Sequence, residues 1–168
     1  MASFALLQWG CLAAFAILLI SAGWQDLQTL RISNGLPLAL TAVFAIWALA
    51  GWALGNISIA DIGLALACGA IVFAIGGLAF TAGAVGGGDV KLLAVTTLFA
   101  GPGLLLDFLM VTALTGGALG LAMLAGTRIG PSAAGADGAF RQRMRNGLPY
   151  APAIAAGGLW VAASLAVV

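Results

Sequence analysis

Five aspartates make up the whole acidic complement of this 168-residue chain: Asp26, Asp61, Asp89, Asp107 and Asp137. Histidine is absent, and Cys11 and Cys68 stand alone inside apolar stretches, far from CxxC spacing. Neither a metal-ligating cluster nor a thiol–imidazole nucleophile is readable, so we expect no metal and no cofactor, and small core residues at both cysteines. Carboxylate chemistry is what remains. Two carboxyls a few Å apart cannot both ionise and so share one proton; one then acts as base on a water while the other polarises a peptide carbonyl. That reaction needs a pair, so the elements that carry the aspartates decide whether it is available.

Those elements are apolar helices. Hydrophobic residues make up 63% of the sequence and charged residues 7%, with a mean hydropathy of +1.17; an ordinary soluble domain has roughly 25% charged residues. Backbone groups cannot stay unpaired in hydrocarbon, and a spanning helix needs about 20 apolar residues. Apolar runs cover residues 4–24, 36–54, 59–83, 89–100, 104–126 and 148–167, too long for barrel strands. The expectation is a single all-α integral membrane domain over residues 1–168, with six transmembrane helices. The first run lacks a basic flank and a clear small-residue cleavage site and reads as a retained helix. The 25 glycines, with Thr115, Gly116, Gly117, Ala118 and Gly120 in one stretch, predict a face where backbones approach closely.

Short loops that carry Lys and Arg stay cytoplasmic. Arg31 lies in the first loop, Lys91 follows the third, and Arg128, Arg141, Arg143 and Arg145 lie in the fifth, while the second and fourth hold none. Loops one, three and five are therefore expected inside and both termini outside. Trp9, Trp47 and Trp52 fall towards the outer ends of their helices and Trp24 towards the inner end, as interfacial belts require. The segment 127–147 reads as a flexible polar loop. A net charge of +1 and the lack of a long basic run exclude a nucleic-acid surface; membrane lipids are the expected surroundings.

In this frame the aspartates separate. Asp61 and Asp107 lie near outer helix N-termini, where unpaired amides and the macrodipole stabilise them. Asp137 is in the polar loop. Asp26 ends the first helix and Asp89 begins the fourth, so both belong to the cytoplasmic leaflet. Gly86, Gly87 and Gly88 before Asp89 predict a flexible turn that lets a substrate backbone approach. As a phosphate loop the same glycines fail, since they follow a helix and no Lys-Ser/Thr ending is present. The fourth run is also short, about 12 residues or roughly 18 Å against a ~30 Å hydrocarbon core, which recesses Asp89 below the surface.

Three ordered stretches then carry a resemblance. Asp26-Leu-Gln-Thr-Leu-Arg31-Ile32-Ser33-Asn34, Gly86-Gly87-Gly88-Asp89-Val90-Lys91-Leu92 and Pro149-Tyr150-Ala151-Pro152-Ala153-Ile154-Ala155 resemble motifs of the prepilin peptidases, membrane aspartic proteases with a GxGD motif. The likeness spans about residues 20–158 and is nearest the short peptidase-only branch (TadV/CpaA type). It implies Asp26 and Asp89 as the catalytic pair. It also implies a prepilin partner, of type IV or Flp type, cut behind its basic leader at the cytoplasmic face of the bacterial inner membrane. Larger members carry a Cys-rich zinc segment and N-methylate the new terminus; this chain lacks those cysteines, which implies proteolysis alone. Ser33 stands where Pro is commoner.

Gly86, Gly88, Lys91, Arg31 and Asn34 flank the implied cleft as substrate-binding or site-shaping residues, with Tyr150 a weaker candidate. Presenilin-like proteases share GxGD but expect Tyr before the first aspartate, where this chain has Gln25. A small ion- or proton-coupled transporter would want carboxylates near the bilayer midplane and often a repeat, and none is visible. A non-enzymatic pilus-assembly scaffold, with the aspartates clamping helices, is the third alternative.

Overall fold

A computed structural model describes residues 2–125 and 149–167. The expected loop 127–147, with Asp137 and its four arginines, lies outside the described residues. The regular structure is helical throughout the described residues: α1 (Ala2–Thr29), α2 (Gly35–Leu54), α3 (Ile59–Thr81), α4 (Gly87–Leu124) and α5 (Ala151–Val167). α1 to α4 are each long and apolar enough to cross a membrane, and α5 is a shorter apolar helix. This is the make-up of a multi-pass membrane protein.

Local chemistry sets the ends. Ser58 and Asp61 form a reciprocal capping box at α3: the Ser58 N–H donates to Asp61 Oδ2 at 2.9 Å and the Asp61 N–H to Ser58 Oγ at 3.1 Å. Asp61 is thereby given the capping role expected of it. Gly55 closes α2 in the left-handed conformation, φ 77°, which glycine adopts without a Cβ penalty. α1 runs on to Thr29, beyond the expected 24, because polar side chains from Gln25 onward end the apolar run without ending backbone hydrogen bonding. Asp26 therefore stands in the last turns of α1, with Thr29 closing the helix. α3 stops at Thr81 instead of 83, and α5 begins at Ala151 instead of 148.

The expected fourth and fifth runs, 89–100 and 104–126, fall within α4, which is interrupted at Gly101 (φ 54°, ψ −169°) and followed by Pro102. This interruption reverses the chain. Thr96 on the first arm abuts Gly158, whereas Phe108 and Thr112 on the second abut Gly157. In a straight helix Thr96 and Thr112 would stand about 24 Å apart, yet both meet adjacent residues of α5. The two arms therefore run back along each other, and Gly116 on the second arm receives the Tyr150 ring just before α5 begins.

α4 is the centre of the bundle, packing against α3, α5 and α2, while α1 packs against α2 and α5. Fully buried Phe15 of α1 stacks on Phe99 of α4 with centroids 4.0 Å apart, and Phe44 of α2 meets Phe99 edge-on at 5.3 Å. Leu19, Leu40, Leu92, Ile154 and Val161 extend this core along the bundle. Trp47, half-buried, joins the aromatic cluster at 5.8 Å from Phe99, close to the Gly101 break; Trp9, Trp24 and Trp52 are exposed. The close-packing face expected along 115–120 reduces to Gly116, since nothing lies within 4 Å of a Cβ at Gly117 or Gly120. The close approaches are elsewhere, at Gly69 and Gly76 of α3 and at Gly157 and Gly158 of α5.

Candidate active site

Asp26 faces inward from the last turns of α1 and is only 5% exposed. Burying a carboxyl is expensive unless it is hydrogen-bonded, and backbone donors at the start of α5 meet it here: the Ala151 N–H donates to Asp26 Oδ2 at 3.0 Å, and the Tyr150 N–H also approaches this carboxyl. Ala151 is the first residue of α5, so its N–H has no partner within its own helix. The approach depends on Gly23, one turn before Asp26, where a Cβ would lie 3.3 Å from Pro152 Cα. A larger residue at 23 would hold the start of α5 away from the carboxyl.

Asp89 comes to the same end of the bundle from α4. The glycines expected as a flexible turn are mostly helical: Gly86 is the N-cap, with extended backbone (φ −72°, ψ 141°), and Gly87, Gly88 and Asp89 form the first turn. An Asp at the third helical position turns its carboxyl back towards the cap. The side chain does so, and a Cβ on Gly86 would lie 2.7 Å from Asp89 Oδ2. Gly87 and Gly88 meet protein rather than open space. A Cβ at Gly87 would lie 3.3 Å from Phe80 Cε2, and one at Gly88 would lie 3.1 Å from Ile32 Cβ in the α1–α2 loop.

That loop is tied down on several sides. Leu30 sits at φ 52°, a strained left-handed conformation for a branched side chain, and its N–H donates to the Asp26 carbonyl at 2.8 Å. The Ser33 N–H donates to Gln25 Oε1 at 3.2 Å, and the Thr29 hydroxyl is shared between the Gln25 and Arg31 carbonyls at 2.9 and 3.0 Å. From α4, Lys91 Nζ donates to Asn34 Oδ1 at 2.8 Å. Lys91 and Asn34, expected near the site as substrate-binding or site-shaping groups, are thus joined to each other across the two motifs. Arg31 is exposed. Gln25, Thr29, Arg31, Ile32, Ser33 and Asn34 line an open concavity of about 660 Å³ beside the aspartates, and neither aspartate lines it.

The Asp26 and Asp89 carboxyls lie within reach of each other's charge. The other described aspartates do not join them. Asp61 is committed to Ser58 at the far end of α3, about 22 Å of helical rise from Gly76, which packs on Val90 near the site. Asp107 is exposed on the second arm of α4. Among the described residues no group of three His, Cys, Asp or Glu side chains is arranged to hold a metal ion. The Ala151 N–H and Gly23 are the contributors that reading the sequence for side-chain chemistry passes over. Pro149 and Pro152, which bracket a helix start, were the available signal.

Such an arrangement, two coupled carboxyls with one anchored and partly desolvated, suits general acid–base work on a water and a carbonyl. No curated protein and no solved structure matches the chain. A family model described as the type IV leader peptidase family matches residues 13–121, well over half of the 168 residues, and the match contains Asp26, the α1–α2 loop and the Gly86–Asp89 turn. On that match the chain is a membrane-embedded peptidase belonging to the type IV leader peptidase family.

Proposed function

We propose that the chain is an aspartic endopeptidase whose catalytic pair is Asp26 and Asp89, and that it removes the basic leader of type IV or Flp-type prepilins at the cytoplasmic face of the bacterial inner membrane, without N-methylation. The observation that carries the reading is the meeting of the two aspartate motifs at one end of the bundle, where Lys91 Nζ donates to Asn34 Oδ1 at 2.8 Å and Gly88 packs on Ile32, with the two carboxyls within reach of each other's charge. As a water oxygen bonds to the scissile carbonyl carbon, its proton passes to the ionised carboxylate and the carbonyl oxygen takes the proton of the other. The C–N bond then breaks as the carboxyl that took the water's proton delivers it to the leaving amine and the other carboxylate takes back a hydroxyl proton as the carbonyl re-forms, which restores the starting pair. Six crossings with both termini outside follow if the two arms of α4 each span, and the Arg31 and Lys91 loops then lie inside. The absence of methylation rests on the chain's having only two cysteines, Cys11 and Cys68, far apart in apolar stretches and not in a Cys-rich segment.

The test is incubation of purified protein with a candidate prepilin in detergent, followed by mass spectrometry. Wild-type protein removes a leader-sized mass, while Asp26→Asn and Asp89→Asn slow cleavage by roughly 10²-fold or more and keep their membrane insertion and thermal melt. Cleavage at the wild-type rate by either variant would overturn the pair; a scaffold would instead keep its partner binding with no cleavage in any form.

A further inference from the structure

We infer that the N-terminus of α5 positions the proposed catalytic pair: the Ala151 N–H holds Asp26 by Oδ2, beside the Tyr150 N–H, and so fixes the direction in which the carboxyl meets the reacting atoms. The inference rests on the aspartic-protease reading above and adds to it a residue outside the matched stretch 13–121. Three observations carry it.

The first is the hydrogen bond itself, 3.0 Å long, between a carboxyl 5% exposed and a residue fully buried. The second is that the bond spends a donor no other group in α5 can use, because the first N–H groups of a helix lack intrahelical acceptors. The third is that the surrounding packing is shaped to allow it. A Cβ on Gly23 would lie 3.3 Å from Pro152 Cα, Pro149 is fully buried, and the Tyr150 ring lies against Gly116, within 2.7 Å of where a Cβ would be. The start of α5 is thus held on both sides, by α1 at Gly23 and by the second arm of α4 at Gly116.

A carboxyl held at Oδ2 by the start of α5 cannot rotate about its Cβ–Cγ bond without losing the contact, so it keeps one direction through the catalytic cycle. Ala151 makes no contact with substrate in this scheme and is a positioning residue. Losing its N–H is therefore expected to act on the chemical step and to leave substrate binding alone.

Ala151→Pro removes the N–H at a helix position where proline's fixed φ is already suitable. Its kcat on a prepilin is expected to fall by roughly 10- to 100-fold with KM within about twofold of wild type. A backbone amide-to-ester replacement at residue 151, made with lactic acid, removes the same donor without the proline ring and decides the matter if the proline variant fails to fold. Wild-type kcat in the ester protein, or a loss confined to KM, overturns the inference. Asp26→Asn and Asp89→Asn run alongside separate the two levels. If they still cleave, the catalytic pair itself is wrong; if they are inactive and the ester protein is not impaired, only the role of Ala151 falls.

Discussion

Gly86 has no Cβ, and the Asp89 carboxyl occupies the space that this leaves. The backbone at Gly86, φ −72° and ψ 141°, is open to any residue, so the need for glycine there concerns the carboxyl and not the chain. Gly86→Ala is accordingly expected to slow prepilin cleavage by roughly tenfold or more while stability stays level or rises by up to ~1 kcal/mol. Cleavage kinetics set beside a thermal melt in detergent read both numbers; a variant that loses stability and activity together would show that Gly86 serves the fold. Much at this scale was legible beforehand. Loop charge points to one end of the bundle for Asp26 and Asp89, which lie within reach of each other's charge there, and a place near a helix N-terminus accounts for Asp61 capping α3. The Ala151 N–H was not legible as a partner of Asp26, because a backbone donor has no residue type and a contact 125 residues apart leaves no periodicity in the sequence.

Among the elements, α4 is where local backbone geometry has the widest effect. Gly101 lies in a region of φ/ψ space that is essentially reserved for glycine, and nothing stands within 4 Å of a Cβ built there. A side chain would therefore meet open space and an unfavourable backbone. Gly101→Ala is expected to cost about 1–3 kcal/mol, read as a lowered Tm or an earlier denaturant midpoint in detergent; an unchanged midpoint would show that the reversal tolerates a side chain. The Gly-Pro pair marked this break in the sequence, which is why two runs were expected there. Helix ends were less legible, because hydropathy falls at Gln25 whereas the helical backbone continues to Thr29. The same limit made Gly87 and Gly88 look like a turn. In the first turn of α4 they stand against Phe80 and Ile32, contacts that no local signal carries.

For the molecule as a whole, the arms of α4 folding back beside α5 give alternate ends of the bundle to successive loops. Single cysteines in a background of Cys11→Ala and Cys68→Ala test this with a membrane-impermeant thiol reagent. Asn56→Cys is expected to label from outside intact cells, and Ser33→Cys and Ala84→Cys only after the inner face is opened. Labelling of residues 33 and 56 from the same side would refute the proposed topology. Composition foretold the helical membrane class because so little charge is available, and the order of loops foretold which ends meet. What composition could not give is the aromatic seam of Phe15, Phe44, Trp47 and Phe99, which depends on which faces three helices turn to one another. The bond between Asp26 and Ala151 also sets an order of events in biosynthesis. The ribosome makes the carboxyl early and its amide partner 125 residues later, a delay of roughly 6–25 s at the usual ~5–20 residues per second. Until α5 has been made, a nascent chain holds an acid without its anchor, so the newborn protein reaches this geometry only once α5 has left the ribosome.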